Sequence, residues 1–139
     1  MLSRNFIVLF LFVLIFSSTV SFSQDKSHLY TMTMVTLTGD QMSEFLKFYE
    51  TEAKPMDAQN EHILSVKVFT HAWGPSWKLC LVTEYKDWEG FLAADKRNTE
   101  IFEKTYPDKT KRDEIGKKWG GYLDNHTDAI VMDNPNLQK

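Results

Sequence analysis

The chain has 139 residues, a formal net charge of −3, 42% apolar residues and 14% aromatic residues. That length excludes a large multidomain protein, since one domain of about 100–150 residues is the expectation. The aromatic content and low net charge exclude a disordered chain, and the acidic balance excludes a strongly basic nucleic-acid binder.

Residues 1–23 have the order of a secretory signal peptide. Arg4 supplies the positive start, Phe6 to Phe16 is an unbroken apolar run, and Ser17, Ser18 and Thr19 relax it. Ser21 and Ser23 are small residues at the −3 and −1 positions of a cut before Gln24. The run falls well short of the ~20 apolar residues of a membrane-spanning helix. The expectation is an exported protein, periplasmic or secreted, that meets a membrane only through this leader. Residues 24–133 then form the domain and 134–139 a polar tail. Cys80 is the only cysteine, so no intramolecular disulfide forms. Within Leu79-Cys80-Leu81-Val82 it reads as a small buried hydrophobe.

The elements follow in order. His28 to Thr38 alternates apolar and Thr residues up to Gly39, which predicts a strand with Tyr30, Met32 and Met34 on one face and Leu29, Thr31, Thr33, Val35 and Leu37 on the other. Asp40 is the predicted N-cap of a helix whose stripe is Met42, Phe45, Leu46, Tyr49 and Ala53. Pro55 stops or kinks it, with a further turn reaching about Asn60. Strands are predicted at 63–73 and 77–85, joined by the turn Gly74-Pro75-Ser76 into a hairpin. A four-residue loop sets Lys67 opposite Glu84 and His71 opposite Cys80, pairing opposite charges, whereas a three-residue loop sets Lys67 opposite Thr83. Asp87 caps a helix from Trp88 to about Tyr106, with Phe91, Ala94, Ile101 and Phe102 inward. Tyr106-Pro107-Asp108 breaks it, and a second helix runs from Lys109 to Leu123 with Ile115, Trp119, Tyr122 and Leu123 at helical spacing. Thr127 to Asp133 is the last strand. Trp88 and Trp119 read as helix core. The basic residues Lys104, Lys109, Lys111, Arg112, Lys117 and Lys118 are interleaved with Glu103, Asp108, Asp113 and Glu114, which makes a solvated helix face.

Strand, helix, strand, strand, helices, strand is the split βαβ or ferredoxin-like order, an α+β fold with a four-stranded antiparallel sheet and helices on one face. The other face would carry Met32, Met34, Phe69, Trp73 and Val82, too apolar to remain wet. A homodimer pressing two such faces together covers it and encloses a pocket between the sheets.

Several segments carry a resemblance: His71-Ala72-Trp73-Gly74, Thr83-Glu84-Tyr85, Tyr106-Pro107-Asp108-Lys109 with Lys111-Arg112, Tyr122-Leu123, and His126-Thr127-Asp128-Ala129-Ile130. Over most of residues 29–133 the chain resembles the dimeric α+β barrel superfamily, and more narrowly a group of small exported bacterial proteins without an agreed activity. The superfamily contains small monooxygenases and muconolactone-isomerase-like and chlorite-dismutase-like enzymes. The resemblance therefore implies cofactor-independent acid–base or oxygenase-type chemistry. Asn125 and Ala129 depart from it, standing where a Gly and an acidic residue are expected.

His71, Glu84 and His126 are the candidate catalytic residues, because a histidine titrates near neutral pH and a desolvated carboxylate beside it forms an acid–base couple. Tyr30, Lys67, Phe69, Trp73 and Asp128 are candidate ligand contacts. His71, His126 and Glu84 are also suitable ligand types for zinc or iron, although no short HxH or HxxxH spacing joins them. No cofactor is called for. A non-catalytic ligand-binding or stress-related module uses the same pocket, and a purely structural role would place another protein on the open sheet face.

Overall fold

The computed structural model describes residues 27–73 and 79–138. Its elements are β1 (Leu29–Val35), α1 (Gly39–Phe48), a π-helical turn (Tyr49–Ala53), α2 (Lys54–Asp57), β2 (Ile63–Thr70), β3 (Leu79–Tyr85), α3 (Trp88–Thr105), α4 (Lys109–Tyr122), β4 (His126–Met132) and a short 3-10 turn (Pro135–Leu137). The leader and the Gly74-Pro75-Ser76 turn with Trp77 lie outside the described residues. Among the described residues no helix is long and apolar enough to cross a membrane.

The strands form one sheet in the order β2-β3-β1-β4, every neighbouring pair antiparallel. This is the ferredoxin-like α+β architecture that the element order predicts. The faces of β1 divide as its alternation requires. Leu29 and Val35 point into the helix layer and are buried, while Tyr30, Met32 and Met34 lie on the open face with Val82 and Phe69.

The helical stripe forms the core. Phe45 is fully buried beneath α4, its ring 5.3 Å from Tyr122 in a T-shaped contact and 5.7 Å from Trp119. Met42, Leu46, Tyr49 and Ala53 join the same cluster. The cap of α1 is Thr38 rather than Asp40. The Thr38 hydroxyl accepts from Gln41 N, and the Gln41 side chain accepts from Thr38 N, so two terminal amides are satisfied reciprocally. Asp40 sits in the first turn, where a negative charge still suits the helix dipole. Asp87 and Asp108 cap α3 and α4 by accepting from Gly90 N and Lys111 N. Pro55 does not stop the first helix. It lies in the first turn of α2, after a π turn that accommodates a residue lacking an amide proton.

Three further expectations are corrected. The hairpin takes neither predicted register: Ser65 faces Glu84, Lys67 faces Val82 and Phe69 faces Cys80, with an irregularity between Ile63 and Ser65. One offset holds from Thr70 opposite Leu79 to Ser65 opposite Glu84, and the extra residue at Leu64 changes only the pairing beyond it, of Ile63 with Tyr85. β2 also ends at Thr70, so His71 and Trp73 lie beyond the strand, and Trp73 is almost fully exposed. Trp88 is half exposed at the start of α3, its ring tilted against Phe91, whereas Trp119 is packed against the core as expected. Cys80 is buried, and burial raises its thiol pKa.

Candidate functional site

Residues singled out in the sequence fall into three separate places. The first is the open sheet face. Glu84 accepts hydrogen bonds there from Ser65 Oγ (2.5 Å), His28 Nδ1 (2.6 Å) and Tyr30 Oη (3.2 Å). Tyr30 and Ser65 reach it because they are its direct neighbours across β1 and β2. These donors stabilise the ionised form, so the Glu84 pKa is lowered, chiefly by Ser65 and then by His28. The expected acid–base couple of Glu84 with His71 requires the opposite shift and does not form. Lys67 and Phe69 share this face, one and two side-chain positions further along β2.

The second place is the start of α1. His71 lies with Thr38, Gly39, Met42 and Trp73 around a cleft of about 390 Å³. Thr70, the residue before His71, pairs with Leu79, which is five positions from Glu84 along β3, roughly 17 Å. The third is the helix-facing side of β4. Asp128 accepts from Thr33 Oγ1 (2.7 Å) and lies 3.0 Å from His126 Nε2, while His126 Nδ1 donates to the Leu123 carbonyl at the end of α4. Asp128 pairs with Thr33, whose side chain faces the helices, so it stands on the opposite side of the sheet from Glu84. The structure therefore brings His126 and Asp128 together, and Tyr30 and Glu84 together, but does not assemble His71, Glu84 and His126. Among the described residues no group of three His, Cys, Asp or Glu side chains is placed to hold a metal ion.

A cavity of mixed chemistry lies where the sequence did not direct attention. Between the helix layer and the sheet is a chamber of about 590 Å³, within the usual range for small-molecule sites. Its floor is the inward face of the sheet, with Thr31, Thr33, Val66, Leu81, Thr83 and Tyr85. Phe48, Phe102, Ile115 and Trp119 form apolar walls, and Tyr49, Asp57, Asp95 and Asn98 are the polar groups above.

Asp57 and Tyr49 form the chamber's central polar pair, with Tyr49 Oη donating to Asp57 Oδ2 at 2.9 Å. Burial raises the Asp57 pKa, and the Tyr49 bond only partly offsets this. Burial, followed by the Asp57 charge, also raises Tyr49. The π turn creates this pairing. Eight residues along a regular helix leave two side chains about 80° apart, while one extra residue absorbed in a π turn restores about 100° and returns them to one face. Nearby, Asn60 is buried and ties the β2 approach to α3, donating to the Ala94 carbonyl (2.9 Å) and to Asn98 Oδ1 (2.7 Å). Asn98 is thereby oriented at the chamber wall. Only Pro55 hinted at the irregular turn, and a lone proline does not specify which side chains it aligns.

Comparison with protein-family models finds no match, and comparison with curated proteins finds none. Solved structures do match. An uncharacterised NIPSNAP domain protein from Burkholderia xenovorans has a TM-score of 0.58 at 17% identity, covering 80% of this chain and 99% of that one. A dimeric ferredoxin-like protein from an uncultured marine organism has a TM-score of 0.56 at 13% identity, covering 82% and 93%. A NIPSNAP family protein from Agrobacterium tumefaciens has a TM-score of 0.56 at 13% identity, covering 78% and 87%. The chain has the ferredoxin-like fold. At these identities the likeness concerns backbone architecture, and the site has to be argued from its own residues.

Proposed function

We propose that this protein is an exported homodimer that binds a small, partly apolar molecule in the chamber between its helices and its sheet. The chamber carries this reading, because it combines an apolar, largely aromatic wall with a few convergent polar groups, one of them a carboxylate with a raised pKa. Cofactor-independent acid–base chemistry is the catalytic form of the proposal and a binding module the non-catalytic form. This reading places the ligand within each subunit rather than in the pocket expected between two sheets.

The dimer rests on the open sheet face. Phe69 is 47% exposed and Val131 41% exposed beside Met32, Met34 and Val82, an apolar surface that a second copy covers. The marine protein of the same fold is described as dimeric. Export rests on the leader alone.

The test is mass spectrometry of small molecules that co-purify with the protein, repeated on a Trp119→Ala variant. A compound retained by the wild type and lost from the folded variant supports the chamber. A compound retained equally by both refutes it, and turnover of that compound separates enzyme from binding module. Sedimentation of Val82→Glu is expected to give a monomer where the wild type is a dimer.

A further inference from the structure

The chamber's charge is one-sided. Among the described residues lining it are Asp57 and Asp95 but no Lys, Arg or His. Asp57 lies in the wall that the chamber shares with an outer groove, which is lined also by Leu46, Glu50 and Lys54. Lys54 faces that groove and does not line the chamber. The groups that act on the ionisation of Asp57 are its burial and the Tyr49 hydroxyl, with no cation among them. A half-buried carboxylate of this kind has unmet demand for positive charge. The aromatic wall adds to it, since the faces of Phe, Tyr and Trp rings attract cations. One of the chamber's rings already shows this behaviour: Lys118 Nζ lies 5.1 Å from the Phe48 ring centroid. Among the described residues lining the chamber, an anionic ligand meets two carboxylates and no cationic side chain.

We propose that the chamber selects a compact apolar amine, its hydrocarbon part between Phe48, Phe102 and Trp119 and its ammonium group on Asp57. This rests on the chamber being the binding site. Tyr49 is the positioning residue: its hydroxyl occupies one Asp57 oxygen and leaves the other oxygen to meet the ammonium.

The experiment uses three probes of similar shape and different charge: benzylamine, benzyl alcohol and benzoate. Each is titrated at pH 7 into isotopically labelled protein while the Trp119 indole and surrounding amide NMR signals are followed. Benzylamine is expected to bind at least tenfold more tightly than benzyl alcohol, with benzoate weakest. In Asp57→Asn, which retains an acceptor for Tyr49, the amine-to-alcohol ratio is expected to fall to about twofold or less. Equal affinities in the wild type, a preference for benzoate, or an unchanged ratio in the variant overturns the proposal while leaving the chamber as a binding site. No chamber signal responding to any probe refutes the chamber reading as well. The wild-type ranking decides the matter on its own if the variant does not fold.

Discussion

Gly116 offers a direct test of the chamber. It lies in the middle of α4 and lines the cavity, its backbone is outside the left-handed region, and a Cβ built there meets nothing within 4 Å. Alanine therefore relieves the helix of a glycine without a clash, a gain of about 1 kcal/mol. For a domain of this size that corresponds to a melting temperature higher by about 4 °C. Leucine has nearly the same helix preference and projects its side chain into the chamber, so Gly116→Leu is expected to be at least as stable as Gly116→Ala while binding benzylamine at least tenfold more weakly. Thermal unfolding followed by circular dichroism gives the first quantity and NMR titration the second. If leucine is less stable than alanine by about 1–3 kcal/mol, the usual cost of overpacking, the space is already filled and the chamber argument fails. If stability rises and binding is unchanged, the ligand sits elsewhere.

Glu84 governs a pH dependence on the other sheet face. Its folded pKa is lowered, so its contribution is present above the ordinary glutamate value near 4.3 and is lost as pH falls through the lower folded value. Glu84→Gln is expected to destabilise the protein by about 1.5–3 kcal/mol at pH 7, the scale of hydrogen bonds to a charged group. It should also flatten the acid limb of the stability curve; urea unfolding across pH 2–7 checks both, and an unchanged limb contradicts the assignment. Phe45→Ala removes a fully buried ring from its contacts with Tyr49, Trp119 and Tyr122. A loss of about 3–5 kcal/mol is expected in urea unfolding, and a loss below 1 kcal/mol would show that the core is not centred there.

Much of the fold was legible in the residues themselves. Alternation in β1, the Met42-to-Ala53 stripe, the cap at Asp87 and the break at Tyr106-Pro107-Asp108 each express a local preference, and local preferences survive into the folded chain. The strand order followed because a split βαβ unit with one helical layer has few alternatives. Tyr30 shares a face with Met32 and Met34, and Glu84 shares one with Val82, for the same local reason, the period of two along a strand.

What tertiary structure alone decided is register and rotation. The hairpin register sets Glu84 opposite Ser65, with His28 reaching the same carboxylate, rather than opposite Lys67. The end of β2 at Thr70 carries His71 away to the start of α1. The π turn rotates Asp57 back beneath Tyr49, and this creates the chamber's acidic pair. Each change involves a slip of one or two residues, the end of a strand, or one extra residue in a turn. Sequence periodicity averages over many positions and is insensitive to such a change, whereas the identity of two contacting side chains depends on it entirely.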